Sequence, residues 1–179
     1  MATTASTTSV QKLYIAYFGR PADAAGLAFY ADALDAGTTT VSAIATSFGA
    51  STEAATTVAL TTSAYVSAVY LQAFGRAYVS ATDGTFWTDA ITNGDTTKEL
   101  AMVQILNGAT GTDATAVTNK VAVANTYTVA VTTDGKTYSG ATAITAAKAV
   151  MSGVTATAST VTSGNTAAAT AVTNLENVP

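Results

Sequence analysis

Apolar residues recur along the first half of the chain at helical spacing. Val10, Leu13, Tyr14, Tyr17 and Phe18 stand at i, i+3, i+4, i+7 and i+8, one stripe, and Gly19 follows where a left-handed cap would end a helix. Asp23 is placed to cap a second helix that buries Leu27, Tyr30 and Leu34 and stops at Gly37. The Thr38 to Thr40 cluster opens a third, with Val41, Ile44, Ala45 and Phe48 on one face ahead of Gly49. The same grammar then returns through Val66, Val69, Tyr70, Ala73 and Phe74, then Trp87 and Ile91, then Leu100, Val103 and Leu106 before Gly108.

This return is a repeat of sequence as well as of pattern. Leu13-Tyr14-Ile15-Ala16-Tyr17-Phe18-Gly19-Arg20 reappears as Val69-Tyr70-Leu71-Gln72-Ala73-Phe74-Gly75-Arg76. Phe29-Tyr30 corresponds to Phe86-Trp87, Asp32-Ala33-Leu34 to Asp89-Ala90-Ile91, and Gly37 to Gly94, so the unit is about 57 residues long. Residues 1–110 therefore form a tandem region with copies at about 9–50 and 65–108. Three short helices cannot cover their own apolar faces, so the copies are expected to pack on one another.

Residues 111–179 read as a helical extension. A longer helix is predicted from Thr112 or Asp113 to about Val131, with Val117, Val121, Ala124 and Val131 inward. Asp134-Gly135 then supplies a turn, and a helix follows from Ala141 to Met151. From Gly153 the chain is rich in Thr, Ala and Ser; its Thr and Val favour strand, but Ala167-Ala168-Ala169 tips the balance to helix. The ending at Asn177-Val178-Pro179 reads as a cut in a longer polypeptide. The expected fold class is all-α, with little strand before Gly153.

Composition narrows the function. Only 10% of residues are charged and 49% are hydrophobic, with mean hydropathy +0.33, which is not a disordered chain. Ala and Thr each supply roughly a fifth of the residues, so much of the polarity is short hydroxyls. Seven basic against eleven acidic residues give a net charge of −4, the wrong sign for a nucleic-acid partner. Without cysteine there are no disulfides and no thiolate chemistry; without histidine the usual general base and metal ligand are missing. The N-terminus shows no secretory signal, and Thr, Ser and Gly interrupt every apolar run before it reaches membrane-spanning length. The chain reads as soluble, or as exported by a route that does not use its N-terminus.

Arg20 and Arg76 are the only arginines, each just after a helix-ending glycine, where a guanidinium would bond the last carbonyls of its helix or an Asp across the turn. Tyr30 and Trp87 occupy equivalent stripe positions and read as core, with Trp87 the best sugar platform in the chain. Asp83, Asp89 and Asp95 are six residues apart and do not share a helix face, while Asp32, Asp35 and Glu53 read as solvated helix faces. Calcium held by carboxylates and carbonyls from separate loops is the one cofactor left open. A paired-carboxylate glycosidase is disfavoured because each acid already has a repeat or turn context.

Leu13-Tyr14, Gly19-Arg20-Pro21, Asp23, Gly26-Leu27, Tyr30 and Gly37 resemble a bacterial family known only as a domain of unknown function. The Tyr and Gly-Arg signature is more loosely similar to the helical linker domains of phycobilisomes. The likeness spans roughly residues 9–108, and residues 119–124 are similar to the segment that often follows; Tyr14, Gly19, Arg20, Tyr70, Gly75, Arg76 and Trp87 are its structural repeat positions. Two departures stand in the second copy: Ala77-Tyr78-Val79-Ser80 replaces Pro21-Ala22-Asp23, and Gly84 lies one residue nearer the aromatic pair. The resemblance implies the N-terminal part of a large, cysteine-free protein exported by type I secretion, such as a surface-layer protein. There, a helical region of this kind holds the lattice to the O-polysaccharide of lipopolysaccharide. Calcium-binding glycine-aspartate nonapeptides, typical of such cargo, are absent and would lie beyond Pro179.

The expectation is a non-catalytic anchoring domain on the bacterial cell surface, binding O-polysaccharide and other copies of itself in a lattice. The alternative is a protein assembly or self-association module of an exported protein. An acidic, Thr-rich surface suits a neutral or weakly charged glycan held by hydrogen bonds. The candidate contacts are Asp83, Asn93, Asp95, Asn107 and Asp134, the polar loop residues expected to matter least to the fold, with Tyr78 and Tyr138 as stacking surfaces.

Overall fold

The caps that the sequence signals set the helix ends, and the computed structural model describes residues 2–177. Helix α1 (Thr4–Phe18) begins where the Thr3 hydroxyl accepts the Ser6 N–H. It ends at Gly19, φ 66°, whose N–H bonds the Ile15 carbonyl. Helix α2 (Ala24–Asp35) is capped by the Asp23 carboxylate, which accepts the Gly26 N–H at 2.8 Å, and α3 (Val41–Gly49) by the Thr40 hydroxyl. Then come α4 (Ala55–Val58), α5 (Thr62–Phe74) ending at Gly75 with φ 69°, α6 (Ser80–Asp83), α7 (Phe86–Asn93) and α8 (Lys98–Asn107). The chain closes with α9 (Gly111–Thr133), α10 (Gly140–Ser152) and α11 (Ser159–Thr173). The fold is all-α: among the described residues there is no strand, only an isolated antiparallel bridge between Lys136 and Asn177. The four-residue helices α4 and α6 had no signal in the apolar pattern.

Helix α1 lies at the centre, packed on α2, α3, α5 and α9. The two copies meet where α1 packs on α5 and α3 on α8. Phe48 of α3 sits among Tyr14, Tyr17, Phe18 and Tyr30, with ring centroids 4.8 to 5.9 Å away. The Tyr17 hydroxyl donates to the Glu99 carbonyl, and the Tyr65 hydroxyl to the Lys98 carbonyl at 2.5 Å, so both copies reach the start of α8.

Three expectations change here. In α2, Leu27, Tyr30 and Leu34 are half-buried rather than buried, and Ala31 is the residue fully enclosed, because α2 lies at the edge of α1. Gly49 does not follow α3 as a cap but is its last helical residue, and a methyl group there would run into the Glu99 side chain. Its role is close approach of α3 to α8. Asp35 is not merely solvated: its carboxylate accepts the hydroxyls of Ser6 and Thr3 and the Thr3 N–H, placing a negative charge at the N-terminus of α1. Those hydrogen bonds, Ser6 first, hold its carboxyl below its ordinary range.

Helix α9 buries Val117, Val121, Ala124 and Val131, the face its spacing predicts. A polar ring ties it to the first copy. Gln11 is fully buried and donates to the Thr128 hydroxyl at 3.1 Å; Thr128 donates to the Ala22 carbonyl at 2.7 Å; the Ala22 N–H returns to the Gln11 side-chain oxygen at 3.0 Å. Helix α11 lies along α9, burying Gly164, Ala168 and Val172 at i, i+4 and i+8. At Gly164 a Cβ would stand 2.9 Å from Val154 Cγ2 and 3.0 Å from Val123 Cγ2, too close for any side chain. The hydroxyls of Thr166, Thr170 and Thr173 fold back onto carbonyls four residues earlier, which satisfies them within the helix.

Candidate functional site

The residues marked by the repeat converge on two charge clusters. Arg20 holds Glu53 bidentately, Nε to Oε1 at 2.8 Å and Nη2 to Oε2 at 2.9 Å, and donates to the Pro21 carbonyl at 3.2 Å. Its guanidinium lies 5.3 to 5.5 Å from the ring centroids of Tyr14, Phe18 and Tyr138. Arg76 repeats the arrangement with different acids. It holds Asp113 at 2.7 Å through Nε and Nη2, Asp83 at 2.8 and 2.9 Å through Nη2 and Nη1, and the Ala77 carbonyl at 3.1 Å. Tyr70 lies beneath it at 4.9 Å. Arg76 thus takes one Asp across the turn, Asp83, and one 37 residues away, Asp113, whereas Arg20 takes only a Glu 33 residues away, and neither bonds the last carbonyls of its own helix. Each guanidinium fastens its helix end to a distant segment: α3–α4 in the first copy, α6 and the first turn of α9 in the second.

The candidate glycan contacts divide accordingly. Asp83 is not a dispensable loop residue, since it pairs with Arg76 and accepts the Val79 N–H at 2.8 Å; the bond to Arg76 keeps its carboxyl low. Tyr138 is no open stacking surface either: half-buried, it donates to the Pro21 carbonyl at 3.0 Å and packs against Arg20 and Tyr127. Tyr78 is half-buried against Tyr70, and its hydroxyl bonds the Gly84 carbonyl at 2.5 Å. Glu53, expected to be solvated, is the acid of the first cluster. Asn93, Asp95, Asn107 and Asp134 are exposed, but the structure does not gather them. Asp95 lines a shallow groove with Phe86, Trp87, Ala90, Thr96 and Gln104, Asn107 another between α1, α3 and α8, and Asp134 a third along α9. No group of three or more Asp and Glu side chains able to hold a metal ion lies together among the described residues.

Sequence reasoning missed one titratable group. Lys120 is buried in α9 and donates to the Met151 carbonyl at 2.6 Å, with no carboxylate partner among the described residues. It sits at the end of α10, where a cation suits the helix dipole, but desolvation pulls it from 10.5 to about 8. The unfolded chain therefore holds more protons than the folded one between about pH 8 and 10.5, so stability should rise with pH across that window. Burial pushes Tyr14, Tyr17, Tyr65 and Tyr138 upward from 10.0, which gives the opposite slope above about pH 10. Denaturant melts from pH 7 to 11 should thus peak between these limits. Lys120→Met should remove the rising limb and leave the falling one.

Residues 2–58 match the family described as Domain of unknown function (DUF4214). That segment runs from α1 to α4, one copy of the repeat with Arg20 and its Glu53 both inside it. No curated protein and no solved structure matches the chain.

Proposed function

We propose that the chain is a non-catalytic anchoring domain of an exported bacterial surface protein, of surface-layer type, that holds to the O-polysaccharide of lipopolysaccharide. What supports this reading is where the fold uses its charge. Both arginines and Glu53, Asp83 and Asp113 are engaged with one another, and Lys98 and Lys120 bond backbone carbonyls. The remaining surface is rich in short hydroxyls and marked by shallow open grooves. Such a surface suits a neutral or weakly charged polymer gripped by many weak hydrogen bonds, multiplied by the copies in a lattice. Type I export accords with a cysteine-free, acidic, lysine-poor chain.

Co-sedimentation with lipopolysaccharide tests the proposal. Binding to lipopolysaccharide with intact O-chains, and none to lipopolysaccharide truncated at the core, is the expected result. Equal binding to both, or to neither, defeats it. A chelator arm separates direct contact from calcium bridging, and binding that survives the chelator removes calcium from the account.

A further inference from the structure

Phe29 and Phe86 are the most exposed large apolar side chains among the described residues, at 68% and 67%. They occupy equivalent positions in the two copies, 57 residues apart. Each leans edge-on against the aromatic that follows: Phe29 on Tyr30 with centroids 5.1 Å apart at 80°, Phe86 on Trp87 at 4.8 Å and 81°. Tyr30 and Trp87 anchor on the core, but the phenylalanines do not. The preceding loops have diverged, Pro21-Ala22-Asp23 against Ala77-Tyr78-Val79-Ser80, and the first copy's Gly26-Leu27 helix start has no counterpart in register. Folding does not require a phenyl ring in solvent at either place, so its presence in both copies points to a contact made outside the chain.

The surroundings of the second pair define the chemistry. Phe86 and Trp87 share their groove with Asp95, Thr96 and Gln104. Among the described residues no hydrogen bond engages the Asp95 or Gln104 side chain, and the Thr96 hydroxyl makes only a 3.4 Å contact to the Thr97 carbonyl. After the first pair, Thr38 and Thr39 stand where Asp95 and Thr96 stand in the second. An apolar protein surface laid on the groove would strip water from Asp95 and Gln104 and give nothing back. A sugar ring presents an apolar C–H face to the aromatic pair and hydroxyls to the acids and amides beside it.

Resting on the glycan-binding reading above, we propose that the two aromatic pairs are saccharide subsites, one per repeat copy. The second is formed by Phe86, Trp87, Asp95, Thr96 and Gln104; the first is centred on Phe29 and Tyr30, with Thr39 at the position equivalent to Thr96 and the Thr38 hydroxyl held by the Ala33 carbonyl at 3.1 Å. Each subsite is weak alone, and a polysaccharide that occupies both on one chain gains avidity.

Titration of the full chain with purified O-polysaccharide from smooth lipopolysaccharide tests this, using Phe29→Ala, Phe86→Ala and the double variant. Because both side chains are mostly exposed, the variants should melt with the parent. Each single variant should bind about tenfold more weakly, as expected for an aromatic anchor, and the double variant should show no measurable binding. Asp95→Ala should weaken binding in the parent and in Phe29→Ala, and add little in Phe86→Ala. If the parent binds and the double variant binds equally well, the subsites are wrong while the anchoring reading stands. If the parent does not bind, both fall. If sedimentation equilibrium shows parent self-association that the double variant loses while glycan binding is kept, the pairs are a contact between copies and the saccharide subsites are overturned.

Discussion

Phe48→Ala is expected to destabilise the protein by about 3–5 kcal/mol, the usual cost of emptying a buried phenylalanine site. Four aromatic rings surround Phe48, and α3 carries it into the seam between the copies, so few side chains can move to fill the space. At this chain length the loss corresponds to a drop of about 10 °C in melting temperature. Phe74→Ala should fall at the low end of the range, since Tyr70 is its single aromatic neighbour among the described residues. Phe18→Ala should sit between them, because its ring packs on Phe48 at 4.8 Å but lies at the end of α1. Calorimetry on the three variants checks the order. A Phe48→Ala protein that melts within a degree or two of the parent would show that the aromatic cluster is not the centre of the core.

The helices were legible because their signals are local. An apolar stripe with Gly19 or Gly75 after it fixes the ends of α1 and α5, and Asp23 and Thr40 fix the starts of α2 and α3; the starts of α1 and α5 lie ahead of their stripes and carry no such signal. Helix α11 was harder, because threonine favours strand when its hydroxyl competes for the backbone; the i−4 hydrogen bonds of Thr166, Thr170 and Thr173 remove that competition, and Gly164 lets the helix lie against α9. What could not be read was pairing across distance. Nothing near Gln11 announces Thr128, nor does anything near Arg20 announce Glu53, since side chains 117 and 33 residues apart meet only once the helices are packed. For the same reason Asp83 passed for a free loop acid and Tyr138 for a surface ring. The exposed phenylalanines hid differently: a helical stripe marks a face but does not say which of its edge positions α1 will leave uncovered.

Arg20→Ala and Arg76→Ala are equivalent substitutions in sequence that should differ in cost and in pH response. The Arg20 side chain is 11% exposed and Glu53 24%, whereas the Arg76 side chain is 38% exposed and correspondingly screened by water. Truncating Arg20 strands a largely enclosed Glu53 and opens a space beneath Tyr14, Phe18 and Tyr138, at a cost of about 2–4 kcal/mol. Lys148, whose Nζ is 3.7 Å from Glu53, offsets part of that loss. Truncating Arg76 should cost less at neutral pH, about 0.2–1 kcal/mol for each of its two screened pairs. It leaves the two carboxylates without their shared cation, and Asp83 loses the bond that keeps its carboxyl low. The bond to Arg76 that holds Asp83 low in the parent stabilises the fold above the ordinary carboxylate range and is lost as pH falls through it. In Arg76→Ala that stabilisation is gone, so the gap between variant and parent should narrow as the pH drops from 7 toward the carboxylate range. Arg20→Ala carries a packing defect that a change of pH does not repair, so its gap should persist. Parallel urea melts at neutral and acidic pH would read both. Equal costs with no narrowing for Arg76→Ala would mean that the two clusters are alike in environment, contrary to their exposure.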